Sequence, residues 1–314
     1  MSKNVDLPRH TVAQEAPRLS HATWWERHQR GIAPYLFISP FYILFLLFFI
    51  GPALFACLLS FTAWNGVDAL RGIGWSNYTE LLTDATFQTT IVNTLWYMLT
   101  SLLIVCPLAL VLAVALNSSF VWGKPIFRTI FFMPVVTSTV VIAIMFILLY
   151  DKDYGLINAG LQAIGLPTLD FLGSPDLSKL AIIGLLLWRW TGFTMIYFLA
   201  GLQAVPRDLL EASWIDGATR WRSFLHVTLP LLRPVILFVA VIVLIGSSQI
   251  FEEPFILTKG GPADSSLSIV EYLYRVGFEY LRLGYASTIG VALFLVIFSL
   301  SLIQMRFLGA FSDD

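Results

Sequence analysis

The amino-acid sequence predicts an all-α polytopic membrane protein with six transmembrane helices, on three observations. Hydrophobic residues make up 57% of the 314 positions and charged residues 12%, against roughly 25% charged in a soluble domain. Six apolar runs are each long enough to cross a hydrocarbon core of about 30 Å, which takes about 20 helical residues. Lysine and arginine are distributed unevenly between the two sets of connections that those runs define.

The elements follow in order. Residues 1–32 are a polar tail carrying Lys3, Arg9, Arg18, Arg27 and Arg30. Within it, His21–Arg30 places Trp24 and Trp25 beside two arginines, which fits either a short interfacial helix or a tail held by two anchoring tryptophans. The first apolar run begins after Gly31 and is too long for a cleavable signal. Spans are predicted at Pro40–Phe61 (starting as early as Ala33), Ile91–Ala115, Ile130–Leu149, Leu180–Ala200, Leu232–Ile250 and Ala286–Met305. They make residues 33–308 one transmembrane domain, followed by a short tail, 309–314.

Of the 19 Lys and Arg residues, 12 fall on the side of the two termini, six on the opposite side, and Arg189 lies inside the fourth run. The same two faces hold 8 and 12 acidic residues. Positive charge is retained on the cytoplasmic side, so both termini are expected in the cytoplasm of a multi-pass cell-membrane protein. A net charge of −1 offers nothing to nucleic acid. Cys57 and Cys106 both sit inside apolar runs, without a CxxC or a nearby His, and read as packing residues.

The longest polar break in the second half of the chain is Val205–Pro234, on the basic side. A simple turn needs about five residues; this stretch carries a helical pattern instead. Leu210, Trp214, Gly217, Trp221, Phe224 and Leu225 recur at spacings of three and four, which sets them on one face. Asp208, Glu211, Asp216, Arg220 and Arg222 lie away from it, with Asp216–Arg220 an i,i+4 pair. Pro206 suits a first turn, Asp208 with Glu211 reads as a capping box, and Pro230 and Pro234 are expected to end the helix.

This stretch resembles the signature loop of the integral-membrane permease subunits of carbohydrate ABC importers. The matching residues are Glu211-Ala212-Ser213, Asp216-Gly217-Ala218 and Val227-Thr228-Leu229-Pro230, with Ser213 standing where the pattern has a second alanine. The resemblance extends over the outer segments: Gly74-Trp75-Ser76-Asn77-Tyr78, then Phe251, Thr258-Lys259-Gly260-Gly261-Pro262, Tyr274-Arg275, Phe278 and Gly284-Tyr285-Ala286-Ser287. It implies a type I ABC importer permease fold, with a cytoplasmic coupling helix between the fourth and fifth spans. Its contact with an ATPase would run through Leu210, Glu211, Ala212, Ser213, Trp214, Asp216, Gly217, Ala218, Trp221, Phe224, Leu229 and Pro230. It also implies the partners: a second homologous permease subunit, two nucleotide-binding ATPase subunits that hold ATP and Mg, and an extracytoplasmic sugar-binding protein, all working in membrane lipid.

The remaining outer segments are modest. Tyr150–Asp176 mixes Gly, Pro and acids and is expected to hold one short helix, Leu156–Ile164. Gly260-Gly261-Pro262 makes a sharp turn, and Ser266–Tyr280 reads as a helix with Leu267, Val270, Leu273, Tyr274 and Phe278 on one side.

No phosphate loop, metal-ligand spacing or nucleophile–His–Asp arrangement is present in the sequence, so no catalytic, cofactor-binding or metal residue is assigned to this chain. Arg189, between Trp188 and Trp190, is the charge placed deepest in a span; it must pair, snorkel or face water. Arg189 and Trp190 are therefore candidate pathway or substrate contacts, together with Asn93, Thr137, Ser138, Ser247 and Gln249. Pro134 is expected to kink the third span. Three other readings stay open: a secondary transporter or channel without an ATPase, a non-enzymatic membrane scaffold or receptor, and, with the same architecture, an importer of a non-sugar solute such as glycerol phosphate or another polyol.

Overall fold

The computed structural model describes residues 24–118 and 120–307, with side chains from residue 33 to residue 306. The chain divides into two compact units, Met1–Leu54 and Phe55–Asp314. The N-terminal tail up to residue 23, which includes the start of the expected interfacial piece His21–Arg30, and the C-terminal tail 309–314 lie outside the described residues. From Trp24 the backbone is helical and continues into α1 (Ala33–Leu59). A wide i,i+5 turn at Leu46–Ile50 interrupts its regular hydrogen bonding. Phe41, Phe45 and Phe49 stack at i,i+4 along it, ring centroids 6.0 and 5.0 Å apart, an aromatic stripe suited to hydrocarbon.

In the second unit, a two-stranded antiparallel ribbon pairs β1 (Thr62–Ala63) with β2 (Arg71–Gly72). The short α2 (Ser76–Thr83) leads into α3 (Ala85–Asn117), whose first turn is capped by Asp84 accepting from the amides of Thr86 and Phe87. Next come α4 (Lys124–Val136), α5 (Thr139–Tyr150) and the short α6 (Leu156–Ala163), then the unbroken 30-residue α7 (Pro175–Ala204). After α7 lie α8 (Arg207–Ile215) and α9 (Arg220–Ser223), then α10 (Arg233–Ser248), α11 (Glu252–Leu257), α12 (Ile269–Tyr274) and α13 (Leu283–Phe307).

Among the described residues, five stretches are long and apolar enough to cross a membrane: Ala33–Leu59, Ala85–Asn117, Pro175–Ala204, Arg233–Leu257 and Leu283–Arg306. The predicted third span, Ile130–Leu149, is not one straight helix. It is the pair α4 and α5, which meet at 98°. The bend does not fall at Pro134, which sits inside α4. It falls at Thr137 and Ser138, whose ψ angles of 143° and 129° are extended. A proline removes one hydrogen bond from a helix, whereas two consecutive extended residues redirect the chain.

Lipid is as apolar as leucine, so helix association rests on close packing and hydrogen bonds rather than on hydrophobic burial. Three buried clusters carry it. One joins α3, α5, α7 and α11 through Tyr97, Ile142, Ile182, Leu185 and Leu257. A second joins α2, α3, α12 and α13, and a third joins α3, α7 and α10 around Met195, Phe198 and Leu232. α4 comes close to α7 at Gly192: a Cβ added there would sit 1.8 Å from the carbonyl oxygen of Phe131. No larger residue fits there.

Candidate functional site

The polar break after α7 is a helical hairpin rather than one continuous helix. α8 starts after Pro206, whose side chain cannot cap; the expected capping box of Asp208 and Glu211 is not formed, and Asp208 instead places its charge in the first turn. α8 ends in a Schellman turn: Ala218 N–H bonds to Ser213 C=O at 2.9 Å and Gly217 N–H to Trp214 C=O at 3.0 Å. Gly217 takes a φ of +82° there, a conformation that costs other residues roughly 1–2 kcal/mol. A Cβ on it would meet nothing within 4 Å in this chain. Backbone conformation, not close approach, demands the glycine.

The expected Asp216–Arg220 pair is accordingly divided between two elements. Asp216 closes α8, and Thr219 caps α9. From α9 the chain continues through a wide turn at Phe224–Thr228 into Leu229–Leu231 and on to α10. Pro230 and Pro234, expected to stop the helix, are instead carried in the first turns of Leu229–Leu231 and α10, where a missing N–H is tolerated.

α8 has no buried residue. Trp214 is 51%, Ile215 86% and Trp221 67% exposed, and Trp221 stacks on Phe224 with centroids 5.8 Å apart. Leu210, Phe224 and Leu229 are half-buried beneath them, whereas Glu211, Ala212, Asp216 and Pro230 are exposed. Exposed aromatic surfaces of this kind occur at protein–protein and membrane contacts. The Ser213 hydroxyl donates to Leu210 C=O at 2.7 Å and is hydrogen-bonded to the Ser223 hydroxyl, tying α8 to the helix that follows.

The second constellation lies within the spans. Arg189 Nη1 donates to Glu253 Oε1 at 3.0 Å, linking α7 to α11, and both side chains are nearly buried. The guanidinium also sits 5.1 Å from the centre of the Trp190 ring. Its Nε is buried without a hydrogen-bond partner. Glu253 escapes a reading of the sequence because it stands 64 residues away, among acids assigned to an outer loop.

Beside this pair, Trp190 and Ser247 line a cavity of about 240 Å³, with Ser101, Thr194, Tyr197 and otherwise apolar walls. The other candidate path residues are not gathered there. Gln249 lines a groove against α13 with Gly290 and Phe294. Thr137 and Ser138 form the break between α4 and α5. Asn93 is buried and donates to the carbonyls of Asp264 (2.9 Å) and Leu267 (3.0 Å).

These bonds belong to a fastening of the loop 258–268. Tyr97 donates to Ser266 C=O at 2.8 Å, and Thr94 accepts from Ile269 N–H at 3.1 Å. Arg275 reaches Lys259 C=O at 2.5 Å, Asp264 Oδ1 at 3.2 Å and Glu271 Oε1 at 3.0 Å. The helix expected at Ser266–Tyr280 shortens to α12 and a wide turn, and its inner face is Ile269, Glu271, Tyr272 and Val276. Phe278, expected on that face, is exposed. Glu271 turns inward because Arg275 meets its charge. Burial raises its pKa to about 7 against the opposing pull of Arg275. Nearby, Asp84 accepts from the hydroxyls of Tyr272 and Tyr285. Burial pushes its carboxyl up, but these bonds and the two α3 amides outweigh it and hold the pKa below the usual value.

Comparison with known proteins matches residues 106–311 to the family described as binding-protein-dependent transport system inner membrane component. The chain is 38% identical over 289 residues to the arabinooligosaccharides transport system permease protein AraP of Bacillus subtilis (strain 168), covering 91% of this chain and 92% of that one. It is 35% identical to the lactose transport system permease protein LacF of Rhizobium radiobacter, covering 86% and 92%. Among solved structures, a chain of a bacterial ABC transporter involved in the import of the acidic polysaccharide alginate superposes with a TM-score of 0.79 at 26% identity, covering 92% and 99%.

Proposed function

This chain belongs to the family of binding-protein-dependent transport inner-membrane components, and from that membership we propose that it is the membrane-spanning subunit of an ATP-driven carbohydrate importer. It is a non-catalytic subunit. ATP and Mg are held by two partner ATPase subunits, a second permease subunit completes the path, and a sugar-binding protein delivers the solute from outside. The broken pair α4 and α5 counts as one span, giving six, with both termini and the hairpin Arg207–Leu231 in the cytoplasm.

The observation that carries this reading is the hairpin itself. It places Trp214, Ile215 and Trp221 in the open on the side richest in Lys and Arg, where an ATPase would be. Its apolar face enters a groove of that subunit, and Glu211 and Asp216 set the register. When ATP draws the ATPase subunits together, the hairpin moves with them and shifts α7 and α10, which it joins. The solute path runs through the cavity lined by Trp190 and Ser247, where an aromatic face beside hydroxyls suits a sugar ring. The relatives that carry arabinooligosaccharides and lactose, and outer segments with six basic against 12 acidic residues, favour a neutral oligosaccharide.

The test is the ATPase activity of the complex purified through this chain and reconstituted in lipid. A candidate binding protein is added with and without arabino-oligosaccharides, lactose and other sugars. Stimulation by one loaded binding protein is the expected result. Absence of any associated ATPase, with this chain intact, overturns the reading.

A further inference from the structure

Resting on the importer reading, we propose that Arg189 and Glu253 are positioning residues that latch α11 over the transport cavity, and that their separation opens the cavity to the outside. α11 is cut off from α10 by the non-helical residues Gln249–Phe251, so it can move while α10 stays. It packs on α5 and α7, and α5 is itself half of a helix broken at Thr137–Ser138. α7 is unbroken. The seam between α7 and α11 is thus a boundary between a fixed helix and a jointed one, and the 3.0 Å ion pair crosses it.

The pair also stands at the edge of the cavity. Trp190, which follows Arg189, and Ile250, three residues before Glu253, both line it. A buried ion pair adds little net stability, but separating the partners in a dry site leaves two uncompensated charges. The seam therefore favours two conditions: closed and paired, or open with both charges in water. Side chains packed for stability alone would not need the charges.

The test uses the full complex in right-side-out vesicles, with Cys57 and Cys106 replaced by alanine and Ser247→Cys as reporter. A membrane-impermeant maleimide is applied from outside. The labelling rate should rise at least tenfold in Glu253→Gln and in Arg189→Gln, and return to within threefold of the original in the exchanged pair Arg189→Glu with Glu253→Arg. Labelling of the single variants at the original rate, in complexes that elute intact, overturns the latch. Should either neutral variant fail to assemble, Arg189→Lys replaces it, since it keeps the charge but not the guanidinium's reach. A rise of threefold or more supports the latch; an unchanged rate overturns it. Labelling needs neither nucleotide nor sugar, so its failure is distinct from failure to find an ATPase.

Discussion

The hydroxyls of Ser213 and Ser223 are hydrogen-bonded across the turn at Gly217, joining the two arms of the hairpin that follows α7. Ser213 occupies the position where the related signature has alanine, and Ser223 is buried beneath it. The two arms of the hairpin are thereby tied to each other.

Gly217→Asp and Glu211→Arg should leave the chain folded while uncoupling ATP hydrolysis from uptake. Asp is among the residues that tolerate positive φ, so the turn survives, but a charge is added to the surface proposed to dock on the ATPase. Sugar uptake at the original level in both variants would contradict this.

Ser213→Ala should cost about 1 kcal/mol, the worth of one hydrogen bond, and more if the buried Ser223 hydroxyl is left unpaired. Thermal unfolding of the purified complex measures the shift, and Ser213→Ala with Ser223→Ala should recover part of it.

Gly192→Ala should destabilise the contact of α4 with α7 by about 1–3 kcal/mol, the usual range for overpacking, because the methyl would overlap the Phe131 carbonyl. A neighbouring Gly201→Ala change meets only side-chain methyls of Val235 and Leu232, which can rotate, and should cost less. Equal losses of thermal stability would refute the distinction.

Glu271 should make the outer loop sensitive to pH. Its pKa is raised to about 7 from 4.5, so between these values the folded state binds more protons than the unfolded one. Stability is then full below about pH 4.5 and declines as pH rises through 7. Hydrogen exchange across residues 258–280 should quicken from pH 5.5 to 8 beyond its intrinsic dependence, and Glu271→Gln should flatten the trend.

Much of the fold was legible because crossing a membrane takes about 20 apolar helical residues whatever their order. That criterion depends on composition along a run and is blind to backbone direction. The apolar run through Thr137 and Ser138 therefore hides a 98° bend. Periodicity failed similarly at Gly217: Trp214, Gly217 and Trp221 keep a helical spacing across a turn that ends one helix and begins another. A readable sign was present, since a glycine followed two residues later by threonine is a helix stop and then a helix start. Arg189 announced that it needed a partner, but choosing Glu253 among the outer acids required the fold.

The fastening of the outer loop also bears on how the chain is made. Asn93, Thr94 and Tyr97 are polar groups of α3 whose partners lie 169 to 175 residues further along. α3 leaves the ribosome long before residues 264–269 exist. An unsatisfied polar group in hydrocarbon costs several kcal/mol, so during that interval α3 must be sheltered by the insertion machinery or held near the headgroups. Truncation before residue 264 should leave a chain whose second span is poorly inserted, although every residue of that span has been synthesised.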